Sequence, residues 1–254
     1  MSNSMKASHL AKVWGLRLLL FAVIVIAWVF GTNVGGISTL ILPKITDVLR
    51  ACVELLGTAD IWARIGVTVL EMVIAFLIAA SAGLVAGFLL SRREMTGRVG
   101  EILLSWGYMF PIVLLYPMFL LWTGVGIESK ILYGAVNGFF PIAYNVTLGL
   151  RNVEERYLKV GRAFRASPLH TDMVIKMGAA RPMILSGLRL GVALVTISVV
   201  VAELLGSTTG LGNALQEAST RFNAVDQYAL TILLIALTAV LQVIMERALR
   251  SRHG

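Results

Sequence analysis

The chain has 254 residues, of which 57% are hydrophobic and only 14% charged, and its formal net charge is +8. Soluble domains carry about 25% charged residues, so this composition, with a mean hydropathy of +0.83, excludes an ordinary soluble protein and defines an integral membrane one. Cys52 is the only cysteine, which excludes an internal disulfide and a cysteine-rich metal site.

The first apolar run, residues 18–31, follows Lys6, Lys12 and Arg17. It is short against the roughly 20 residues that a helical span needs, so a cleaved signal peptide and a first transmembrane helix extended through residues 32–36 are both open, and the helix is the preferred reading. In residues 44–56, Ile45, Val48, Leu49, Cys52, Val53 and Leu56 cluster on one helical face, with Pro43 at a plausible start. This segment is too short and too charged to span, and it predicts a helix lying on the outer membrane face.

Residues 65–90 form a clear second span whose only charge is Glu71, with Ala79, Ala80, Ala82, Gly83, Ala86 and Gly87 for close helix packing. A third, residues 102–122, carries Gly107, Pro111 and Pro117, which predicts a bent or broken helix. The fourth, residues 131–150, holds Asn137, Gly138, Pro141 and Asn145, and this polar content predicts a helix facing protein or a wet path rather than lipid. Span five covers residues 185–205 with Glu203 near its outer end, the turn-rich residues 206–222 read as an external looped or re-entrant segment, and span six covers residues 228–245. The expected fold is therefore all-α with six transmembrane helices: a tail of residues 1–17, a span domain of residues 18–250 and a tail of residues 251–254.

Residues 151–182 are the longest interruption of apolar sequence, with seven basic residues against three acids. Tyr157, Val160 and Phe164 recur at helical spacing, and Ser167 followed by Pro168 is a start signal for a second helix. Two short helices meeting at a stiff corner are predicted here. A basic loop touching lipid head groups and a docking element fit the composition equally well. With both termini placed inside, 17 of the 22 basic residues fall in internal segments, and only Lys44, Arg50, Arg64, Lys130 and Arg221 fall outside. That asymmetry fixes the orientation by the positive-inside rule and places the basic charge along a membrane face, so no nucleic-acid partner is expected.

From about residue 51 to residue 249 the chain resembles the inner-membrane permease subunit of ATP-binding-cassette (ABC) importers, in the branch that includes sulfonate, taurine, nitrate and bicarbonate systems. The family's cytoplasmic signature, the EAA loop, runs roughly E-A-A-x-x-x-G-A-S. Ala166 and Ser167 match its Ala-Ser, and Pro182 with residues 186–191 (Ser-Gly-Leu-Arg-Leu-Gly) match the family's pattern downstream of the loop. The loop is degenerate: Lys159, Val160 and Gly161 stand where Glu-Ala-Ala is usual, Arg165 replaces the glycine, and Met177-Gly178 replaces a Leu-Pro. Independent matches are Pro111, Pro117, Trp122, Gly124, Gly126, Ser129 and Lys130 around span three, Phe139-Phe140-Pro141 in span four, and, at the end of span five, Ala202-Glu203 with Leu205-Gly206-Ser207 and Gly210-Leu211-Gly212. In span two Glu71 stands where the family usually has arginine, so no charge-pairing role of that arginine carries over.

The resemblance implies a type I importer architecture with both termini cytoplasmic, in the bacterial inner membrane. It implies a cytoplasmic ABC ATPase dimer as partner, docked at Tyr157, Val160, Phe164, Arg165, Ala166, Ser167 and Leu169, and a periplasmic or lipid-anchored solute-binding protein. A second permease copy, read as a homodimer in preference to a heterodimer, completes the assembly within membrane lipid. Pro111, Pro117, Asn137, Pro141, Asn145 and Glu203 are the residues expected along the translocation path, with a sulfonate, nitrate or similar small anion as cargo. No cofactor is expected on this chain, because ATP and Mg belong to the partner ATPase. His9, His170 and His253 lie far apart, and the chain contains no G-x-x-x-x-G-K-[ST] phosphate loop and no G-x-S-x-G elbow, so chemistry is expected elsewhere. The alternatives from other classes are an ion-gradient-driven secondary transporter, which also uses broken helices, and an intramembrane enzyme, for which no nucleophile and base face each other.

Overall fold

The computed structural model describes residues 2–167 and 170–250, with side chains described except at positions 2–13, 18, 21, 160, 246, 249 and 250. Pro168, Leu169, the side chain of Val160 and the tail at 251–254 therefore lie outside the described residues. Every regular element among the described residues is helical: α1 (Ser2–Asn33), α2 (Ile45–Leu56), α3 (Ala59–Ser91), α4 (Glu94–Met109), a 3-10 turn (Ile112–Leu115), α5 (Tyr116–Thr123), α6 (Ile127–Arg151), α7 (Glu155–Ala163), α8 (Thr171–Gly206), α9 (Leu211–Thr220) and α10 (Ala224–Arg250). Helices are the open-ended way for a chain to satisfy its backbone hydrogen bonds in lipid.

Four of these are long and apolar enough to cross a membrane: Trp14–Asn33 within α1, α3, α8, and Ala224–Met245 within α10. A fifth crossing arises if α4 and the segment Ile112–Thr123, bent from one another by 74°, count together. The break expected in span three is real: Pro111 stands outside helical geometry between α4 and the 3-10 turn, and Pro117 sits in the first turn of α5, where its missing N–H costs nothing. Helix α6 has 25 residues, about 37 Å at 1.5 Å per residue, but its polar side chains keep it out of the apolar set. It instead faces protein, with Tyr133, Gly138, Pro141, Ile142, Asn145, Val146 and Thr147 all buried.

The helices gather into two compact units, residues 1–59 with 215–233, and residues 60–214 with 234–254. In the first, the amphipathic α2 buries Val48, Ala51 and Cys52 against Ala229, with Trp28, Leu55 and Tyr228 packed around them. The buried face is narrower than the periodicity implied, because Leu49 and Val53 stay exposed. In the second, Phe76 and Ala79 of α3, Ile142 and Val146 of α6, and Val192, Val195 and Val199 of α8 form the core.

Two expectations are revised. The second helix of the 151–182 segment is no separate element: it is the start of α8, a π-helical stretch at Thr171–Lys176 that continues without interruption into the span. Of the two forms read for residues 206–222, looped or re-entrant, a plain loop is ruled out by the ten-residue helix α9.

Candidate functional site: the two ends of helix α8

At its first end, α8 receives the chain from α7 through a corner whose backbone bonds define it. Ala166 N–H donates to Gly161 O at 2.9 Å and Arg165 N–H to Arg162 O at 3.0 Å, the paired bonds of a Schellman cap. That cap demands a left-handed residue, and Arg165 supplies it with φ of 50°. The degenerate position has thus kept the glycine's backbone conformation without the glycine, at a cost of about 1–2 kcal/mol. Ser167 Oγ accepts from His170 N–H at 3.2 Å, in the capping role read from sequence.

Gly161 explains why the corner lies close on α8: a Cβ there would stand 2.8 Å from Ile175 Cδ1. Asp172, in the π-helical stretch, pairs with Lys176 at 2.8 Å and with Arg92 at the end of α3 at 3.7 Å. Tyr157 lines an open groove of about 380 Å³ with Leu148, Val153, Pro182 and Met183. Phe164 follows the last helical residue and is 83% exposed. Ala166 is half-buried and Ser167 exposed.

At its other end, α8 presents Glu203 to a buried charge cluster. Glu203 is 1% exposed, and Glu71 of α3 and Lys130 of α6 are both at 0%. Lys130 Nζ lies 2.5 Å from Glu71 Oε1 and donates to Ser207 Oγ at 2.9 Å and Thr209 Oγ1 at 3.2 Å. Glu203 accepts from Thr68 Oγ1 and from Gly212 N–H, both at 2.7 Å, while Leu211 N–H donates to Thr68 Oγ1 at 2.9 Å. The orphan amides at the start of α9 are therefore capped by side chains from α3 and α8. Gly210 has φ of 98°, and a Cβ there would overlap the Glu203 carboxylate. Arg64 Nη1 to Asn213 Oδ1 at 3.0 Å and Asn213 Nδ2 to Ser207 O at 2.7 Å complete a clasp on residues 207–213.

This cluster alters two readings. Lys130, counted among basic residues of the external segments, is fully buried. Glu203, read at the outer end of span five and along the path, is enclosed, with a hydrogen bond to each carboxylate oxygen. Where the resembling family carries an arginine, Glu71 makes an ion pair of its own. A lone acid in an otherwise uncharged span calls for a cation, so the pair was within reach of sequence reasoning.

The other residues expected along the path are dispersed. Pro111 and Pro117 are exposed and Pro141 is buried. Asn137 Nδ2 donates to Tyr133 O at 3.3 Å and Asn145 Nδ2 to Pro141 O at 2.8 Å, so both amides bond their own helix rather than a neighbouring one.

A multi-pass helical membrane protein with a broken third span and a structured loop leading into its longest span helix is the architecture of an importer permease. Residues 79–251 match the family described as "Binding-protein-dependent transport system inner membrane component", and the chain belongs to that family of ABC transporter permeases. It is 29% identical over 225 residues to a probable ABC transporter permease protein of Haemophilus influenzae, covering 88% of this chain and 91% of that one. It is 30% identical to the putative aliphatic sulfonates transport permease SsuC of Bacillus subtilis (81% and 74% covered) and 27% identical to the taurine transport permease TauC of Escherichia coli (92% and 88% covered). Among solved structures, an inward-facing MetNI methionine ABC transporter matches with a TM-score of 0.55 at 18% identity, covering 82% of this chain and 97% of that one, a likeness of fold.

Proposed function

We propose that this permease forms the solute path of a bacterial inner-membrane importer and couples it to a separate ABC ATPase through residues 151–182. The observation that carries this reading is the corner itself: an 83% exposed Phe164 held on a capped turn whose helix packs through Gly161 on the start of α8. A large apolar side chain left in water costs free energy unless a partner covers it, and the packed corner offers a stiff route from that partner into a span. Tyr157, Val160, Phe164, Arg165, Ala166, Ser167 and Leu169 form the docking element in this reading.

The full assembly is proposed as six spans per chain, namely α1, α3, the α4/α5 pair, α6, α8 and α10, with both termini cytoplasmic. Two copies supply twelve spans, an ATPase dimer holds ATP and Mg, and an external solute-binding protein delivers cargo. The names of the SsuC and TauC relatives support a small anion such as a sulfonate as cargo, and Pro111, Pro117, Asn137, Pro141, Asn145 and Glu203 are placed along its path. Membership of this permease family weighs against a gradient-driven secondary transporter. The test is uptake of radiolabelled taurine or an alkanesulfonate into proteoliposomes holding the whole assembly: ATP-dependent accumulation supports the reading, and accumulation driven by an imposed ion gradient without ATP contradicts it.

A further inference from the structure

We propose that the end of α3 holds the headgroup of one anionic phospholipid between Arg92 and Arg93. The span α3 closes on Ser91, and immediately beyond it an open pocket of about 540 Å³ is lined by Leu89, Leu90, Arg92, Arg93, Thr96 and Asp172. Its charges do not balance. Asp172 is the single acid in the lining, and it already serves Lys176 at 2.8 Å and Arg92 at 3.7 Å. Arg92 is also drawn over the Phe88 ring at 5.6 Å. Glu94, the next acid along the chain, is taken by Arg98 at 2.6 Å. Among the described residues the Arg93 guanidinium has no acidic partner, so two guanidinium groups in the lining face one carboxylate that Lys176 already shares.

Position selects the ligand. The pocket sits just beyond the end of a helix long and apolar enough to span, where basic residues meet lipid headgroups, and the 56% exposed Leu89 gives an acyl chain a surface beside the arginines. The Thr96 hydroxyl is already donated to backbone oxygens of Leu90 and Arg93, at 3.0 and 3.1 Å, which leaves the two guanidinium groups as the donors. A planar guanidinium meets phosphate oxygens with paired hydrogen bonds. A free phosphate would use the arginines and leave the leucines idle.

The experiment uses the full-length chain in neutral detergent, with phosphatidylglycerol, phosphatidylcholine or inorganic phosphate added, and reads retained lipid by native mass spectrometry and the thermal unfolding midpoint. Wild type is expected to retain phosphatidylglycerol over phosphatidylcholine. Arg93→Gln is expected to lower that retention about fivefold, and Arg92→Gln/Arg93→Gln further, with the preference weakening as salt rises. Because Arg93 has no acid to lose, its substitution is expected to leave the lipid-free midpoint unchanged. Equal retention of the two lipids by wild type, or full phosphatidylglycerol retention by the double variant, overturns the proposal. So does inorganic phosphate raising the midpoint as much as phosphatidylglycerol, which would assign the arginines to a free anion.

Discussion

Lys130 Nζ lies 2.5 Å from Glu71 Oε1, and both side chains are completely buried. Removing one member of such a pair strands the other charge, at a typical cost of about 3–5 kcal/mol, whereas replacing both with apolar groups is often neutral. Lys130→Met is therefore expected to lower the thermal midpoint sharply. Glu71→Met/Lys130→Met is expected to recover most of the loss, with a remainder from the missing bonds to Ser207 and Thr209. A double variant as unstable as the single one would show that the ion pair is not what the lysine supplies.

Arg165 carries a left-handed backbone that glycine adopts freely. Arg165→Gly is expected to strengthen the α7 corner by about 1 kcal/mol, which slows exchange of the Ala166 amide about fivefold. Faster exchange in the glycine variant would mean that the arginine side chain, rather than the backbone turn, holds the corner.

Cys52 is buried with its sulfur 3.7 Å from Ala229 O, and burial pushes its thiol pKa up. Less thiolate is then present at neutral pH, so the native chain is expected to react slowly with maleimide and faster as pH rises. On that quiet background Asn137→Cys and Asn145→Cys report the path. The half-buried position 137 is expected to label from the aqueous phase in at least one nucleotide state, and 145 less readily. Complete protection of both in every state would remove α6 from the path.

Much of this architecture was legible because the signals were local. The broken third span followed from Pro111 and Pro117, the amphipathic α2 from its apolar spacing, and the enclosed α6 from its asparagines and Pro141. What escaped was set by distant residues. The turn-rich run after residue 206 becomes α9 because Thr68, remote in sequence, caps its first amides together with the nearby Glu203. The second loop helix merges into α8, which runs through Gly178 and Pro182 without a break, although both residues are local signals for ending a helix. Arg165 reads as a misfit at a glycine position, yet only the backbone bonds to Gly161 and Arg162 show that the turn persists. The motif matches in spans three to five gave the family, while Lys130 looked like an external charge until its partner on α3 was seen.

The claim that the α7 corner is the ATPase contact is tested most directly by co-purifying the ATPase with wild type and Phe164→Ala and measuring stimulated ATP hydrolysis. Burying the Phe164 side chain contributes about 2 kcal/mol, so its truncation is expected to weaken assembly roughly thirtyfold and to cut coupled hydrolysis, with the permease's own unfolding midpoint unchanged. Full assembly and full stimulation by Phe164→Ala would contradict the account and return residues 151–182 to a basic segment resting on lipid.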